Sequence, residues 1–181
     1  MLTIHRVHAV RRAADGAPVP GHAVVVSGGR IEAIGPYEEL YERYGERARV
    51  REWDGVLTPG RHEPHGTAYL EAAYHPDPRE AGDLGTAPLT GDALTALGMT
   101  ETRWGASARR GVQRLLATGT TSIAGPFTHP AVRTAVARSG LRGGSAPRPL
   151  APGAPADFAV FTEDGRCLVT VLGGRLVHRG R

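Results

Sequence analysis

The sequence has 181 residues, of which 40% are hydrophobic, enough for one ordinary domain with a buried core but short for two full domains. Its formal net charge is +4, and all 22 basic residues are arginine, which excludes lysine-dependent Schiff-base chemistry, P-loop phosphate binding and a carboxylated-lysine metal bridge. Cys167 is the single cysteine, so an intrachain disulfide and a thiolate metal cluster within one chain are also excluded.

The N-terminal region predicts β-strands at residues 2–10 and 22–27, where apolar and β-branched side chains are frequent. Gly28-Gly29 separates the second of these from an apolar segment at 31–34, which is the pattern of a two-residue hairpin turn that needs positive φ.

A short helix is predicted next, because Tyr37, Leu40, Tyr41 and Tyr44 recur at helical spacing and Gly45 follows. Their apolar face is expected to pack into the core. Further strands are predicted at 48–53 and 56–57, ahead of the turn at 58–60.

The middle of the chain predicts a long loop followed by helices and a strand. Residues 61–88 are rich in proline, glycine, histidine and charge, and only 68–74 has a helical pattern. Helices are then predicted through Leu94 and Leu97 and at 104–116, the latter amphipathic and ended by Gly119.

A strand at 120–124 and a helix from Pro130 to Gly140 complete an α/β pattern. Residues 143–155 have the composition of a linker. Beyond the linker, three strands with two tight turns are predicted at 157–161, 167–172 and 175–178.

These elements predict a mixed α+β fold. Each β-rich end is too small to bury both faces of a sheet, so we expect residues 1–58 and 151–181 to form one composite β-sandwich domain. Residues 59–150 are then an inserted α/β segment.

Two segments carry a resemblance to a known family. Residues 24–35 (VVVSGGRIEAIG) with 56–60 (VLTPG), and residues 152–161 (PGAPADFAVF) with 169–177 (VTVLGGRLV), resemble the two chain ends of metal-dependent amidohydrolases. Within that superfamily they are most similar to the imidazolonepropionase and aminodeoxyfutalosine deaminase group, whose chain ends form one composite domain. Residues 115–123 are similar to the second barrel strand and its preceding helix, and residues 139–142 to the entry of the third strand.

The sequence differs from this family in the length of the barrel segment and in its metal-ligand residues. A (β/α)8 barrel takes about 250 residues, whereas residues 61–150 have room for two to three β/α units, so the insert is expected to be a truncated barrel. The resemblance implies a metal-binding His-x-His after Pro59-Gly60, and alignment places His65 at its first position and Thr67 at its second. A catalytic zinc site needs three protein ligands.

Several other residues are weaker candidates for metal binding or catalysis. A rebuilt zinc site would use His62, His65 and His75, with His129 or Glu71. Cys167 is expected to be a buried thiol, Ser107 lacks the second glycine of a nucleophile elbow, and Asp157 is expected to cap a turn.

The charge pattern bears on partners and location. The arginines are scattered and alternate with glutamates, as in 42–52, whereas nucleic-acid binding requires clustered positive charge. No apolar run approaches the length of about 20 residues that a membrane span needs, and the N-terminus has no long apolar block. We therefore expect a cytoplasmic protein that binds neither nucleic acid nor membrane.

Two functions remain open. In the first, the chain is an amidohydrolase-like pseudoenzyme with no cofactor, acting as a binding or assembly module. Uncovered strand edges would then be hidden by homo-oligomerisation or by a partner protein. In the second, it is a hydrolase of non-peptide C–N bonds, in cyclic amidines or aminopurine-type substrates, whose metal site is rebuilt or completed by a partner.

Overall fold

The computed structural model describes residues 1–144 and 146–180, which divide into two compact units. Counting described residues only, the first unit consists of residues 1–61, 116–121 and 147–180, and the second of residues 62–115, 122–144 and 146. The first unit therefore includes residues 116–121, which the sequence pattern assigns to the insert. The domain boundaries at 58 and 151 stay a prediction.

Strands dominate both ends of the chain, and helices dominate its middle. The strands are β1 (Leu2–Arg6), β2 (Ala9–Val10), β3 (Val19–Pro20), β4 (His22–Ser27), β5 (Arg30–Pro36), β6 (Ala48–Glu52), β7 (Val56–Pro59), β8 (Arg61–Glu63), β9 (Thr120–Ile123), β10 (Arg142–Gly143), β11 (Phe158–Phe161), β12 (Cys167–Leu172) and β13 (Arg175–Arg179). The helices are α1 (Tyr37–Tyr44), α2 (Gly66–Glu71), α3 (Ala81–Leu84), α4 (Gly91–Ala96), α5 (Glu101–Ala117) and α6 (Pro130–Ser139), with 3-10 turns at Gly45–Arg47 and Pro78–Glu80. The predicted mixed α+β class is confirmed.

The first unit contains two sheets that draw on both ends of the chain. One has the strand order β5-β4-β1-β6, and the other has the order β13-β12-β11-β7-β2-β3. In the second sheet β7 pairs antiparallel with β11, so that Leu57 lies opposite Val160. The N-terminal and C-terminal segments therefore form one continuous sheet.

The core of the first unit lies between these sheets. Val24 and Val26 of the four-stranded sheet share one cluster of buried side chains with Phe158, Val160 and Val169 of the six-stranded sheet. A second cluster, on the other face of the four-stranded sheet, packs Ile4, Ala23 and Val25 against Leu40 and Tyr44 of α1. The predicted apolar face of α1 is thus confirmed at Leu40 and Tyr44, whereas Tyr41 is 49% exposed.

Two further sequence predictions, both about element bounds, differ from the structure. Residues 2–10 form two strands rather than one, because β1 pairs within the four-stranded sheet and β2 pairs with β7 in the six-stranded sheet. The helix predicted at 68–74 runs from Gly66 to Glu71, because the backbone N–H and C=O of Tyr74 pair with those of Leu89 instead.

The two glycine turns of the first unit lie against each other. The β4–β5 turn has positive φ at Gly28 and Gly29, and a Cβ atom at Gly29 would lie 3.0 Å from the carbonyl oxygen of Gly173 in the β12–β13 turn. The carboxylate of Asp157 accepts a 2.6 Å hydrogen bond from the backbone N–H of Gly173. Asp157 is therefore a turn-capping carboxylate, as predicted.

Removing this cap tests its contribution. We expect Asp157→Ala to lower the free energy of unfolding by about 2 kcal/mol, because a hydrogen bond to an ionised acceptor is lost at a half-buried position. Urea unfolding of both proteins measures the difference. Asp157→Asn, which keeps an acceptor oxygen, should lose less, and equal losses for the two variants would contradict the capping role.

His5 is buried among aromatic rings in the first unit. Its side chain is 1% exposed, its Nδ1 accepts a 3.2 Å hydrogen bond from Trp53 Nε1, and its ring meets Phe158 edge-on at 5.0 Å. Burial, together with the positive charge of Arg51, lowers the pKa of His5 to about 4. The folded protein therefore holds this imidazole neutral.

This pKa predicts acid sensitivity. The unfolded chain binds a proton at His5 near its ordinary pKa of 6.5, whereas the folded protein binds it only near pH 4. We expect the contribution of His5 to stability to be complete above pH 6.5 and to be lost as the pH falls towards 4. Urea unfolding at several pH values measures the slope, and His5→Phe should flatten it in that window.

A third sheet has the strand order β10-β9-β8, with β9 and β10 parallel. All four residues of β9 are buried, and β9 follows helix α5 and precedes helix α6 along the chain. The strands that the structure describes form no closed barrel. Within residues 1–144 and 146–180, no helix is both long enough and apolar enough to cross a membrane.

Candidate functional site

The first candidate ligand lies in strand β8. His62 lies within β8, is half-buried, and has its Nδ1 atom 2.8 Å from the hydroxyl of Ser122 on β9. Side chains alternate between the two faces of a strand, and those of His62 and Ser122 are on the same face of the sheet. One nitrogen of His62 is thus already hydrogen-bonded to a neighbouring strand.

His65 and Thr67, at the positions aligned with the family's His-x-His, lie beyond the end of β8. His65 is exposed, and its backbone N–H donates a 2.8 Å hydrogen bond to the carboxylate of Glu63. The hydroxyl of Thr67 donates a 2.7 Å hydrogen bond to the carbonyl of Pro126. The Thr67 side chain therefore ties α2 to the loop that follows β9.

His75 is completely buried in the second unit, with 0% of its surface exposed. Its Nε2 lies 2.8 Å from the carbonyl oxygen of Tyr69, and its ring lies 4.7 Å from the Tyr69 ring. Burial lowers the pKa of His75 most, and the charges of Arg114 and Arg110 add to that effect, while the hydrogen bond to the Tyr69 carbonyl opposes it.

Glu71 and His129 make separate contacts. The Glu71 carboxylate accepts a 2.7 Å hydrogen bond from the backbone N–H of His129 and one from the hydroxyl of Thr128, which stabilises the start of α6. The His129 ring lies 5.0 Å from the Trp104 ring, with its Nε2 3.4 Å from the carboxylate of Glu101. Both carboxylate oxygens of Glu71 thus already accept hydrogen bonds, one of them from the backbone.

These candidate residues are therefore distributed over several local networks. In the part of the chain that the structure describes, no three or more His, Cys, Asp or Glu side chains come together in an arrangement able to hold a metal ion. Whether His62, His65 and His75 bind a metal stays a prediction.

The remaining candidates have structural contacts. Cys167 is 8% exposed, lies 3.4 Å from the hydroxyl of Thr170, and has its thiol pKa raised by burial, so little reactive thiolate forms. Ser107 is completely buried and accepts a 2.9 Å hydrogen bond from the backbone N–H of His75.

Sequence reasoning missed a cluster around Tyr74. The guanidinium groups of Arg103 and Arg110 lie 5.3 and 5.5 Å from the centre of the Tyr74 ring, and the Tyr74 hydroxyl donates a 2.6 Å hydrogen bond to Glu80. Asp77 and Glu80 form a capping box around the turn between them. The spacing Asp77-Pro78-Arg79-Glu80 matches a capping box, so the sequence could have predicted this turn.

The first unit has an open depression of about 730 Å³. Its lining includes His8, Asp54 and Asp164, and His8 Nε2 lies 3.1 Å from the carboxylate of Asp54. Both of these side chains are largely exposed, at 71% and 90%. Side chains this well solvated give no specific indication of a ligand.

The chain is similar to one protein-family model and to several solved structures. The model of the bacterial imidazolonepropionase-like composite domain matches residues 23–46. No curated protein matches the chain.

Solved structures match over most of the chain. Ochratoxinase from A. niger superposes with a TM-score of 0.54 at 20% identity, covering 81% of this chain and 30% of that one. Guanine deaminase from E. coli gives 0.55 at 16% identity (79% and 36%), and aminofutalosine deaminase from Helicobacter pylori gives 0.51 at 17% identity (79% and 32%). The chain thus spans about a third of the length of these enzymes. Its fold is therefore similar to part of the fold of these enzymes, and residues 23–46 are similar to the imidazolonepropionase-like composite domain.

Proposed function

We propose that this chain is a non-catalytic amidohydrolase-like protein that acts as a binding or assembly module. The observation that supports it is that Thr67, at the second aligned ligand position, and His75, of the rebuilt histidine set, are both engaged in contacts within the fold. The Thr67 hydroxyl donates to the carbonyl of Pro126, and the His75 ring is enclosed with its Nε2 at the carbonyl of Tyr69. A metal bound through the Thr67 oxygen or His75 Nε2 would compete with these hydrogen bonds, and the other ring nitrogen of His75, Nδ1, is buried.

The competing proposal is a metal-dependent hydrolase of non-peptide C–N bonds. It is favoured by the fold likeness to guanine deaminase and aminofutalosine deaminase. Fold alone does not determine activity, because one fold hosts many sites. In that case zinc would be held by His62, His65 and His75 or completed by a partner chain, and the metal would activate water for attack on the substrate carbon.

Metal content and turnover distinguish the two. The protein is purified without chelator, its zinc, iron and manganese are quantified per chain, and deamination and ring-opening of amidine and aminopurine substrates are assayed with each metal added. We expect well below one ion per chain and no turnover. One ion per chain together with turnover would overturn the proposal.

Matched variants sharpen the assay. His65→Ala removes the aligned imidazole, and His8→Ala removes an exposed imidazole of the first unit. We expect the two variants to carry the same background metal as the original protein. Metal lost from His65→Ala but retained by His8→Ala would support the hydrolase instead.

An assembly role requires a surface that a second protein chain can cover. Strand β8 lies at the edge of the third sheet, where among the described strands it pairs with β9. We propose that self-association or a partner protein covers this region, in the cytoplasm. Light scattering over a concentration series should give a mass above that of the monomer, and a strict monomer would contradict self-association.

A further inference from the structure

Strand β6 is an outer strand of the four-stranded sheet in the first unit. It pairs in parallel with β1, and among the described strands it has no neighbour on its other side. The backbone N–H of Trp53, directly after β6, donates to the carbonyl of Arg6 on β1. Because N–H groups alternate in direction along a strand, those of Val50 and Glu52 point away from β1. Among the described residues these two groups have no other backbone partner, so an added strand can pair with them.

The same strand carries positive charge on one face. Arg49 and Arg51 are two residues apart, so both project from the face of the sheet that carries His5. Among the described residues neither arginine has an ion-pair partner. Glu52 projects from the opposite face, where its carboxylate pairs with Arg6 at 3.0 Å. The arginines and glutamates that alternate in the sequence are therefore separated by the strand onto two faces.

A further cation lies at the end of this row. The guanidinium of Arg179, on β13, is 5.5 Å from the centre of the Trp53 ring, and Trp53 follows Arg51 by two residues. The next carboxylate along the chain, that of Asp54, lies 3.1 Å from His8 Nε2. Positive charge from two strands therefore borders the open edge of β6.

These charges decide which kind of strand fits the edge. Two copies of β6, paired antiparallel about a two-fold axis at Val50, would place Arg49 of each copy opposite Arg51 of the other, and like charges directly opposite each other destabilise a strand pair. An acidic strand avoids this repulsion, because carboxylates two residues apart match the spacing of the two arginines. Its alternate side chains would continue the face of Ala48 and Val50, which packs against an apolar cluster.

We propose that the open edge of β6 binds an acidic, extended segment of a partner protein, which adds to the four-stranded sheet as a fifth strand. The segment alternates acidic residues, which face Arg49 and Arg51, with apolar residues on the other face. Backbone hydrogen bonds to Val50 and Glu52 hold the segment, and charge selects it. This inference rests on the proposed binding role and gives that role a class of partner.

A synthetic peptide tests the added strand. A ten-residue peptide of alternating glutamate and valine, labelled with fluorescein, is titrated with the intact chain and followed by fluorescence anisotropy. We expect saturable binding, and we expect hydrogen exchange at the amides of Val50 and Glu52 to slow by about tenfold or more in the complex, because both amides gain acceptors. A peptide of the same composition, with its glutamates and valines in two blocks, should bind about tenfold more weakly. No binding, equal binding of the two peptides, or unchanged exchange at both amides would overturn the proposal.

Arg49→Glu is the charge variant, and Arg133→Glu is its matched control. Both residues are exposed, Arg133 on α6, and both substitutions change the net charge equally. We expect Arg49→Glu to weaken peptide binding by about tenfold, because repulsion replaces attraction in the added strand, whereas Arg133→Glu should change it by less than about twofold. Equal weakening by both variants would reduce the effect to net charge and refute the proposal.

Two further measurements address other occupants of the edge. Single-stranded DNA of ten thymidines that binds as tightly as the peptide would assign the edge to nucleic acid. A dimer in light scattering that the peptide dissociates would assign it to a second copy. Either result would refute the proposal.

This inference and the proposed function fail in different ways. A chain that is metal-free, inactive and unable to bind the peptide overturns the inference alone. One ion per chain together with turnover overturns the proposed function, whatever the peptide does.

Discussion

Replacing Phe158 with alanine should lower the free energy of unfolding by about 4 kcal/mol, because removal of a large buried ring leaves a cavity that the surroundings fill only in part. Phe158 is among the largest completely buried side chains, lies in β11 at the middle of the six-stranded sheet, and contacts the ring of His5. Urea unfolding followed by circular dichroism measures the loss. A variant that does not fold at all is also detected in that assay, because it shows no unfolding transition.

The matched control for Phe158 is Leu176→Ala on β13. Leu176 is 37% exposed on an outer strand of the same sheet, so its truncation should change stability by less than about 1 kcal/mol. A comparable loss in both variants would show that the two sheets do not share one core around Phe158.

Replacing Gly66 with alanine should destabilise the protein by about 3 kcal/mol, because the site has no space for a methyl group. A Cβ atom at Gly66 would lie 2.2 Å from the carbonyl oxygen of Ala124 and 2.5 Å from the Ile123 side chain. The carbonyl belongs to the backbone and cannot rotate away, so α2 or the end of β9 has to shift. Thermal unfolding of the variant measures the cost.

Gly82→Ala provides the control for this effect. Gly82 lies in α3, and a Cβ atom there would meet nothing within 4 Å. Alanine has the higher helix propensity, so this variant should be neutral or slightly stabilised. If Gly66→Ala were as mild as Gly82→Ala, the close approach of α2 to β9 would be wrong.

Local patterns were sufficient to predict most elements of the first unit. The Gly28-Gly29 turn, helix α1 and strands β11 to β13 all follow from side-chain alternation, helical spacing or turn glycines within about ten residues of each other. The union of the two chain ends in one sheet was predictable for a different reason. Neither end alone can bury both faces of a sheet.

The contacts around the candidate site were not predictable, because they join residues far apart in the sequence. Thr67 reaches Pro126, Glu71 reaches His129, and the histidine spacing that favoured a metal site gave no information about these partners. The burial of His75 depends on the absence of a side chain at Gly111, a residue that looks like an ordinary helix position in the sequence. Tertiary packing, rather than local spacing, determines where each imidazole lies.

The pairing of β7 with β11 has a consequence for biosynthesis. About one hundred residues separate the two strands along the chain. During translation, which adds residues in sequence order, β7 emerges from the ribosome long before its antiparallel neighbour exists. For that interval the apolar side chains of β4 and β7 have no opposing layer, a state in which nascent chains are prone to aggregation and to capture by chaperones.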